Sequence, residues 1–194
     1  QNTIVSIYLN PTQFSPREDL DRYPKTVDAD LKKLSNFQVD SVFLPNDSEM
    51  YPKGFSTQIK ENILSHVLEG NSRPDFFTGV TTVVAKLFNI IKPTHAFFGE
   101  KDAQQLRIIE KLITDLDYPI EIISCPIVRE KNGLAMSSRN EYLNNEERII
   151  AATIQQALQE GKNLIIFGER NSQVIRDKIN HIISSEKLLR IDYV

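Results

Sequence analysis

The chain has 194 residues, 40% hydrophobic and 25% charged, proportions that exclude disorder, collagen and coiled coil as whole-chain readings and allow one large or two small domains. Its 23 Lys and Arg against 26 Asp and Glu leave a net charge of −3, so no global basic field exists to hold nucleic acid and any anion site must be local. One cysteine, Cys125, excludes an internal disulfide, no Cys/His cluster has zinc spacing, and no apolar stretch approaches the roughly 20 residues of a membrane span; a soluble protein of the reducing cytoplasm is expected.

The sequence starts at Gln1 without a methionine and enters at once a β-like run over 3–9, which reads as a chain cut into mid-fold. Thr26 is placed to cap a helix with Val27, Leu31 and Leu34 at helical spacing, and 39–44 reads as a second strand. A helix over 80–91 closed by Pro93, a strand over 94–98, a helix over 102–116 with Leu106, Ile109, Leu112 and Ile113 inward, and a strand over 120–124 follow. Strands alternating with helices predict a parallel sheet with helices on both faces. Beyond Val128 the pattern predicts a loop, a helix over 144–159, a connector over 161–168, a helix over 172–184 and a last strand over 188–194, after which further chain is expected. A boundary near Pro126 separates a larger domain, 1–126, from a smaller one, 127–194.

Short segments carry the chemistry. Asn10-Pro11-Thr12-Gln13-Phe14 follows a strand, where doubly wound sheets place their ligands, and Gln13 offers a donor and an acceptor to a small polar substrate; the same residues also suit a plain turn. Phe98-Gly99-Glu100-Lys101-Asp102 is another strand end running into a helix start, a corner fit for phosphate, with Gln105 on the first turn; an N-cap by Asp102 beside a solvated lysine is the alternative. In Gly133-Leu134-Ala135-Met136-Ser137-Ser138-Arg139-Asn140, hydroxyls beside an arginine suit triphosphate oxygens under a closing loop, or else form a linker whose serines cap nothing. Arg73, before Pro74, suits a carboxylate or phosphate, or is a surface charge. His66, His95 and His181 have no partner spacing and Cys125 no base motif, so all four read as structural, and Asp19, Asp21, Asp28 and Asp30 as solvated.

Together, residues 6–14, 19–24, 68–74, 98–102 and 136–140 resemble the pantoate–β-alanine ligases (pantothenate synthetases) in order and spacing, with similarity from Ile4 to about Arg148 and a region after Ala151 that suits the family's variable small domain. The resemblance implies a Rossmann-like nucleotidyltransferase domain plus a smaller α+β lid domain, both incomplete here, and a cytoplasmic homodimer acting on neither nucleic acid nor membrane. It implies two-step ligation: pantoate attacks the α-phosphate of ATP, releasing pyrophosphate, then β-alanine attacks the pantoyl adenylate, releasing AMP. By match to the family's motifs, Gln13 and Gln105 hold pantoate, with Gln13 also meeting β-alanine. Gly99, Glu100, Lys101, Asp102 and Val128 line ATP, and Met136, Ser137, Ser138 and Arg139 close on its phosphates. Mg2+, Lys101 and Arg139 stabilise the leaving pyrophosphate, and water is kept off the adenylate; the metal's ligands are not identified.

Two departures stand out. The family's Pro-Thr-Met-Gly-x-Leu-His-x-Gly-His signature, with its catalytic histidine, is absent from this sequence, which predicts an inactive chain without it; Phe76 stands where the family usually has histidine. The rival expectations are another nucleotidyltransferase, which has no need of both Gln13 and Gln105, and a non-catalytic fragment that only dimerises or binds nucleotide.

Overall fold

In the computed structural model, which describes residues 2–16 and 18–194, the opening β-branched run supplies strand β1, Ile4–Ser6. It pairs in parallel with β2, Ser41–Phe43, placing Ile4 opposite Ser41, Val5 opposite Val42 and Ser6 opposite Phe43. The crossover carries helix α1, Val27–Leu34. Thr26 occupies its N-cap position without capping: the hydroxyl donates instead to Asp30 Oδ2 at 3.2 Å, one turn on. Helix α2, Asp47–Met50, is fixed by a reciprocal capping box in which Asn46 Oδ1 accepts from the Glu49 N–H and Glu49 Oε2 accepts from the Asn46 N–H.

After the short α3, Glu69–Ser72, the long α4 spans Phe76–Ile91. It starts four residues before the expected Val80, and the added first turn carries the buried Phe77 and Gly79, the latter packed against the backbone of Thr12. A second βαβ unit follows: β3, His95–Gly99, then α5, Ala103–Asp115, then β4, Glu121–Cys125, with β3 and β4 parallel and in register from His95/Glu121 to Gly99/Cys125. The described strands form two two-stranded parallel sheets, β1 with β2 and β3 with β4. Val80, Val83, Val84, Ala85 and Phe88 of α4 meet Ile109 and Leu112 of α5 in the core, with Phe98 and Ile122 of the strands against them. The expected inward face of α5 is buried at Leu106, Ile109 and Leu112 and gains Ile108, while Ile113 is only partly buried.

The chain divides into two units, Gln1–Cys125 and Pro126–Val194. In the second, Arg129 and Ala135 make an antiparallel bridge, and α6, Asn145–Ala151, α7, Thr153–Ile166, and α8, Ser172–Ser184, follow. Three expectations are corrected here. The single helix over 144–159 is two helices that meet at Ala152. The connector over 161–168 is largely the last part of α7: Gly161 is buried, and a Cβ on it would stand 2.7 Å from Ile179 Cδ1, so the glycine lets α8 approach rather than ending a helix. Residues 188–194 form no strand; Leu189, Ile191 and Val194, spaced two and then three apart, pack on Ala157, Ile179 and Ile183 of the helix pair.

Candidate active site

Just past β1, Asn10 caps a 3-10 turn, Pro11–Gln13, and is 2% exposed. Its Oδ1 accepts from Tyr51 OH at 2.8 Å, Thr12 Oγ1 at 2.9 Å and the Thr12 N–H at 3.3 Å. Its Nδ2 donates to the Gly79 carbonyl at 3.2 Å and to Gln13 Oε1 at 3.3 Å. The half-buried Gln13 therefore has its carbonyl end occupied and its Nε2 without a partner among the described residues. The plain-turn alternative accounts for the Pro11 punctuation but not for the buried amide beneath it. The sequence gives Asn10 no role beyond turn punctuation before Pro11 and offers no signal for Tyr51.

Arg73 is a buried-side organiser rather than a surface charge. Its Nε and Nη2 grip the Glu18 carboxylate at 2.9 and 2.5 Å, Nη1 reaches Glu69 at 3.3 Å, and the guanidinium lies 3.8 Å from the Phe76 ring centroid. Its Nη2 also donates to the Gln13 backbone carbonyl at 3.0 Å. Burial pushes the Glu18 carboxyl up, but the hydrogen bond and charge of Arg73 outweigh this and hold it below the usual range. Phe76 makes an edge contact with Phe77 at 4.9 Å, so at this position the ring takes part in stacking, not in a polar contact.

At the second strand end, Gly99 has extended backbone, and nothing lies within 4 Å of where its Cβ would stand. Glu100–Asp102 form a 3-10 turn leading into α5, and Lys101, exposed, has its Nζ 3.3 Å from Asp102 Oδ1. Asp102 stands at the N-cap of α5 without making a cap bond, so the capping part of the alternative is corrected, while Lys101 is exposed as that alternative expects. Gln105, half-buried in the first turn of α5, makes no side-chain hydrogen bond among the described residues. Its neighbour Gln104 is wholly engaged: Nε2 donates to the carbonyls of Leu64 at 2.8 Å and Val67 at 2.7 Å, while Oε1 accepts from the Glu69 N–H at 3.1 Å. These bonds straddle Leu68, whose φ of +50° is strained for a residue with a side chain. Through Gln104, Glu69 and Arg73, the first turn of α5 is wired to the turn that carries Gln13.

In the second unit, the Met136 N–H donates to the Val128 carbonyl at 2.9 Å and the Glu130 N–H to Leu134 at 2.8 Å, closing a hairpin around Gly133, whose φ of +94° suits glycine. Ser137 caps the following turn, Ser138–Tyr142, its Oγ accepting from the Arg139 N–H at 3.3 Å, so the alternative in which the serines cap nothing is corrected at Ser137. Val128, Met136, Ser138 and Arg139 are exposed. Glu130 fastens the loop: its carboxylate accepts from both Arg148 Nη1, at 3.0 and 3.1 Å, and Asn140 Nδ2, at 2.9 Å, and Arg148 Nη2 donates to the Asn140 carbonyl at 2.8 Å. Asn140 closes the segment read from the sequence, but Glu130 and Arg148 carry no local signal there.

The profile of the family described as pantoate-beta-alanine ligase matches residues 1–194. The chain belongs to the pantoate–β-alanine ligase family. It is 50% identical over 192 residues to the pantothenate synthetase of Thermosipho africanus, covering 99% of this chain and 69% of that protein. Against that of Carboxydothermus hydrogenoformans the identity is 53% over 192 residues, covering 98% and 68%. The crystal structure of pantothenate synthetase from Thermus thermophilus superposes with a TM-score of 0.95 at 39% identity, over 99% of this chain and 70% of that one. A pantoate–β-alanine ligase from Francisella tularensis, crystallised with beta-gamma ATP and β-alanine, gives 0.80 at 37% identity over 94% and 68%. Similarity of this extent makes the α/β architecture that of the family's ligases, and among the described residues no helix is long and apolar enough to cross a membrane.

Proposed function

We propose that Gln13 and Gln105 hold pantoate, Gln13 meeting β-alanine as well, in the reaction that family membership assigns to this chain. That reaction is the ATP-dependent ligation of pantoate and β-alanine to pantothenate. A pantoate carboxylate oxygen attacks the α-phosphorus and pyrophosphate leaves; the β-alanine amine then attacks the acyl carbon of pantoyl adenylate and AMP leaves. The observation that carries the assignment is the Gln13 amide at a strand end, its Oε1 committed to Asn10 and its Nε2 left to donate to a hydroxyl or carboxylate oxygen. Gln105, with no internal partner among the described residues, offers a second amide from the first turn of α5.

Gly99, Glu100, Lys101, Asp102 and Val128 line the nucleotide in this reading, and Met136, Ser137, Ser138 and Arg139 close on its phosphates. The bare corner at Gly99 lets a nucleotide come near the backbone. Lys101 and Arg139 are the catalytic cations, countering charge that grows on pyrophosphate as the bond to the α-phosphorus breaks. The Francisella relative was solved with an ATP species and β-alanine, which supports both as substrates here. Among the described residues no group of three or more His, Cys, Asp or Glu side chains could hold a metal ion. Mg2+ would come with ATP, on its phosphate oxygens and water. We place the enzyme in the cytoplasm as a homodimer, a state that light scattering on the purified protein checks.

The deciding experiment is Gln13→Ala in an enzyme that carries the family's His-containing signature. Loss of its hydrogen bonds, worth roughly 1–3 kcal/mol, sharply lowers pyrophosphate release from pantoate and ATP; an unchanged rate removes Gln13 from the site.

A further inference from the structure

We infer that the Tyr51 hydroxyl is a positioning group for the small acid substrate, the outer support of a relay through Asn10 that determines which end of the Gln13 carboxamide is offered to a ligand. This rests on the reading of Gln13 as a pantoate contact.

The orientation of Asn10 is not free. The Thr12 N–H at its Oδ1 can only donate, and the Gly79 carbonyl at its Nδ2 can only accept, so turning the amide over would set like against like on both sides. With Nδ2 so placed, Gln13 must present Oε1 to it, because the reverse would bring two NH2 groups together. Gln13 Nε2 is thereby turned away from the turn as a donor, which matches the oxygen-only surface of a hydroxy acid.

Tyr51 supplies the shortest of the five bonds to the Asn10 amide, at 2.8 Å, and joins two points 41 residues apart. The other two donors to Asn10 Oδ1 both belong to Thr12, in the same turn. Tyr51 thus ties the turn to a separate part of the fold, after α2, where its ring makes an edge contact with Phe55 at 5.1 Å. Burial, reinforced by the charge of Asp47 and opposed by the bonds to Thr12 and Asn10, pushes the Tyr51 hydroxyl up, so it keeps the proton it donates. Without that bond, the buried amide is held only by its own turn and α4, and the aim of Gln13 Nε2 loosens.

Tyr51→Phe removes the oxygen and keeps the ring. In steady-state pyrophosphate release by an enzyme that carries the family's His-containing signature, KM for pantoate should rise about three- to tenfold with KM for ATP unchanged. In a Gln13→Ala background the same change should add nothing. Thr12→Val, at an exposed position, removes another donor to the same oxygen and should raise KM for pantoate in the same sense. If Gln13→Ala leaves pantoate use unaltered, the reading of Gln13 fails and the relay falls with it. If Gln13→Ala impairs pantoate use but Tyr51→Phe or Thr12→Val leaves its KM unchanged, the relay alone is overturned. An equal rise in KM for ATP, or effects that multiply in the double variant, overturns it likewise.

Discussion

Arg73 Nη2 donates to the backbone carbonyl of Gln13 at 3.0 Å across 60 residues of chain, while the same guanidinium grips Glu18 and stacks on Phe76. A lysine ammonium cannot make this planar fork and stack at once. Arg73→Lys is expected to lose about 1.5–3 kcal/mol of charge-assisted bonding and to raise KM for pantoate, read by urea unfolding and by steady-state kinetics. Both values at wild-type level would show that Arg73 does not hold the turn.

Gly79→Ala tests the seat beneath that turn. A Cβ at position 79 would stand 2.4 Å from the Thr12 carbonyl oxygen and 2.8 Å from the Gln13 nitrogen, backbone atoms that no rotamer change can move aside. The variant should be destabilised by about 1–3 kcal/mol and bind pantoate less well; a wild-type unfolding midpoint would contradict the close approach.

Lys101→Ala and Arg139→Ala should behave oppositely to Gly79→Ala. Lys101 is exposed and its ion pair with Asp102, at 3.3 Å, is of the surface kind that contributes about 1 kcal/mol or less. Near-native melting with adenylation slowed at least about tenfold is the expected pattern, checked by thermal unfolding beside pyrophosphate release. Full activity in either variant would leave that side chain a bystander.

How much of this was legible in the sequence depended on whether a signal was local. The β-α-β alternation and the inward face of α5 came through because period and position agree, with Leu106, Ile109 and Leu112 buried. Glycines misled: Gly161 reads as a helix end, yet its absent side chain is what admits Ile179. Alternation at 188–194 reads as a strand, yet it fits a helix pair, because spacing alone does not say what a segment packs against. The candidate site was visible as segments, but Tyr51 at Asn10 and Arg73 at Gln13 are long-range partners with no local motif. Gln104 and Gln105 are alike in sequence, and only the rotation of α5 sends the first inward to Leu64, Val67 and Glu69.

Glu18 gives stability a pH dependence. Its carboxyl titrates below the ordinary value of 4.5 when folded, so the unfolded chain takes up the proton first. The stabilisation is complete above the ordinary carboxylate range and is lost as pH falls through the lowered folded value. Urea midpoints of the wild type should therefore drop more steeply on acidification than those of Glu18→Gln; parallel curves would mean that the pair with Arg73 contributes nothing.

Glu130→Ala should loosen the serine loop. It removes the acceptor shared by Arg148 and Asn140, and about 1–3 kcal/mol of local stability with it. Faster amide hydrogen exchange over 134–142, and a raised KM for ATP beside an unchanged KM for pantoate, are the expected readouts; exchange at the wild-type rate would show the loop to be held by other means.

The bonds astride Leu68 make the first turn of α5 a latch under tension. One carboxamide restrains the peptide groups on both sides of a residue whose φ is +50°, and a carboxylate of the same size would meet the Leu64 and Val67 carbonyls with an acceptor where a donor is needed. Springing that latch would let the segment relax and carry Glu69 with it, and Glu69 is one of the anchors of Arg73. A single atom exchange, nitrogen to oxygen at position 104, would thus be felt at Gln13, with which Gln104 shares no hydrogen bond among the described residues. In the proposed reading, the turn offered to pantoate would in this sense be tuned from the helix start offered to the nucleotide.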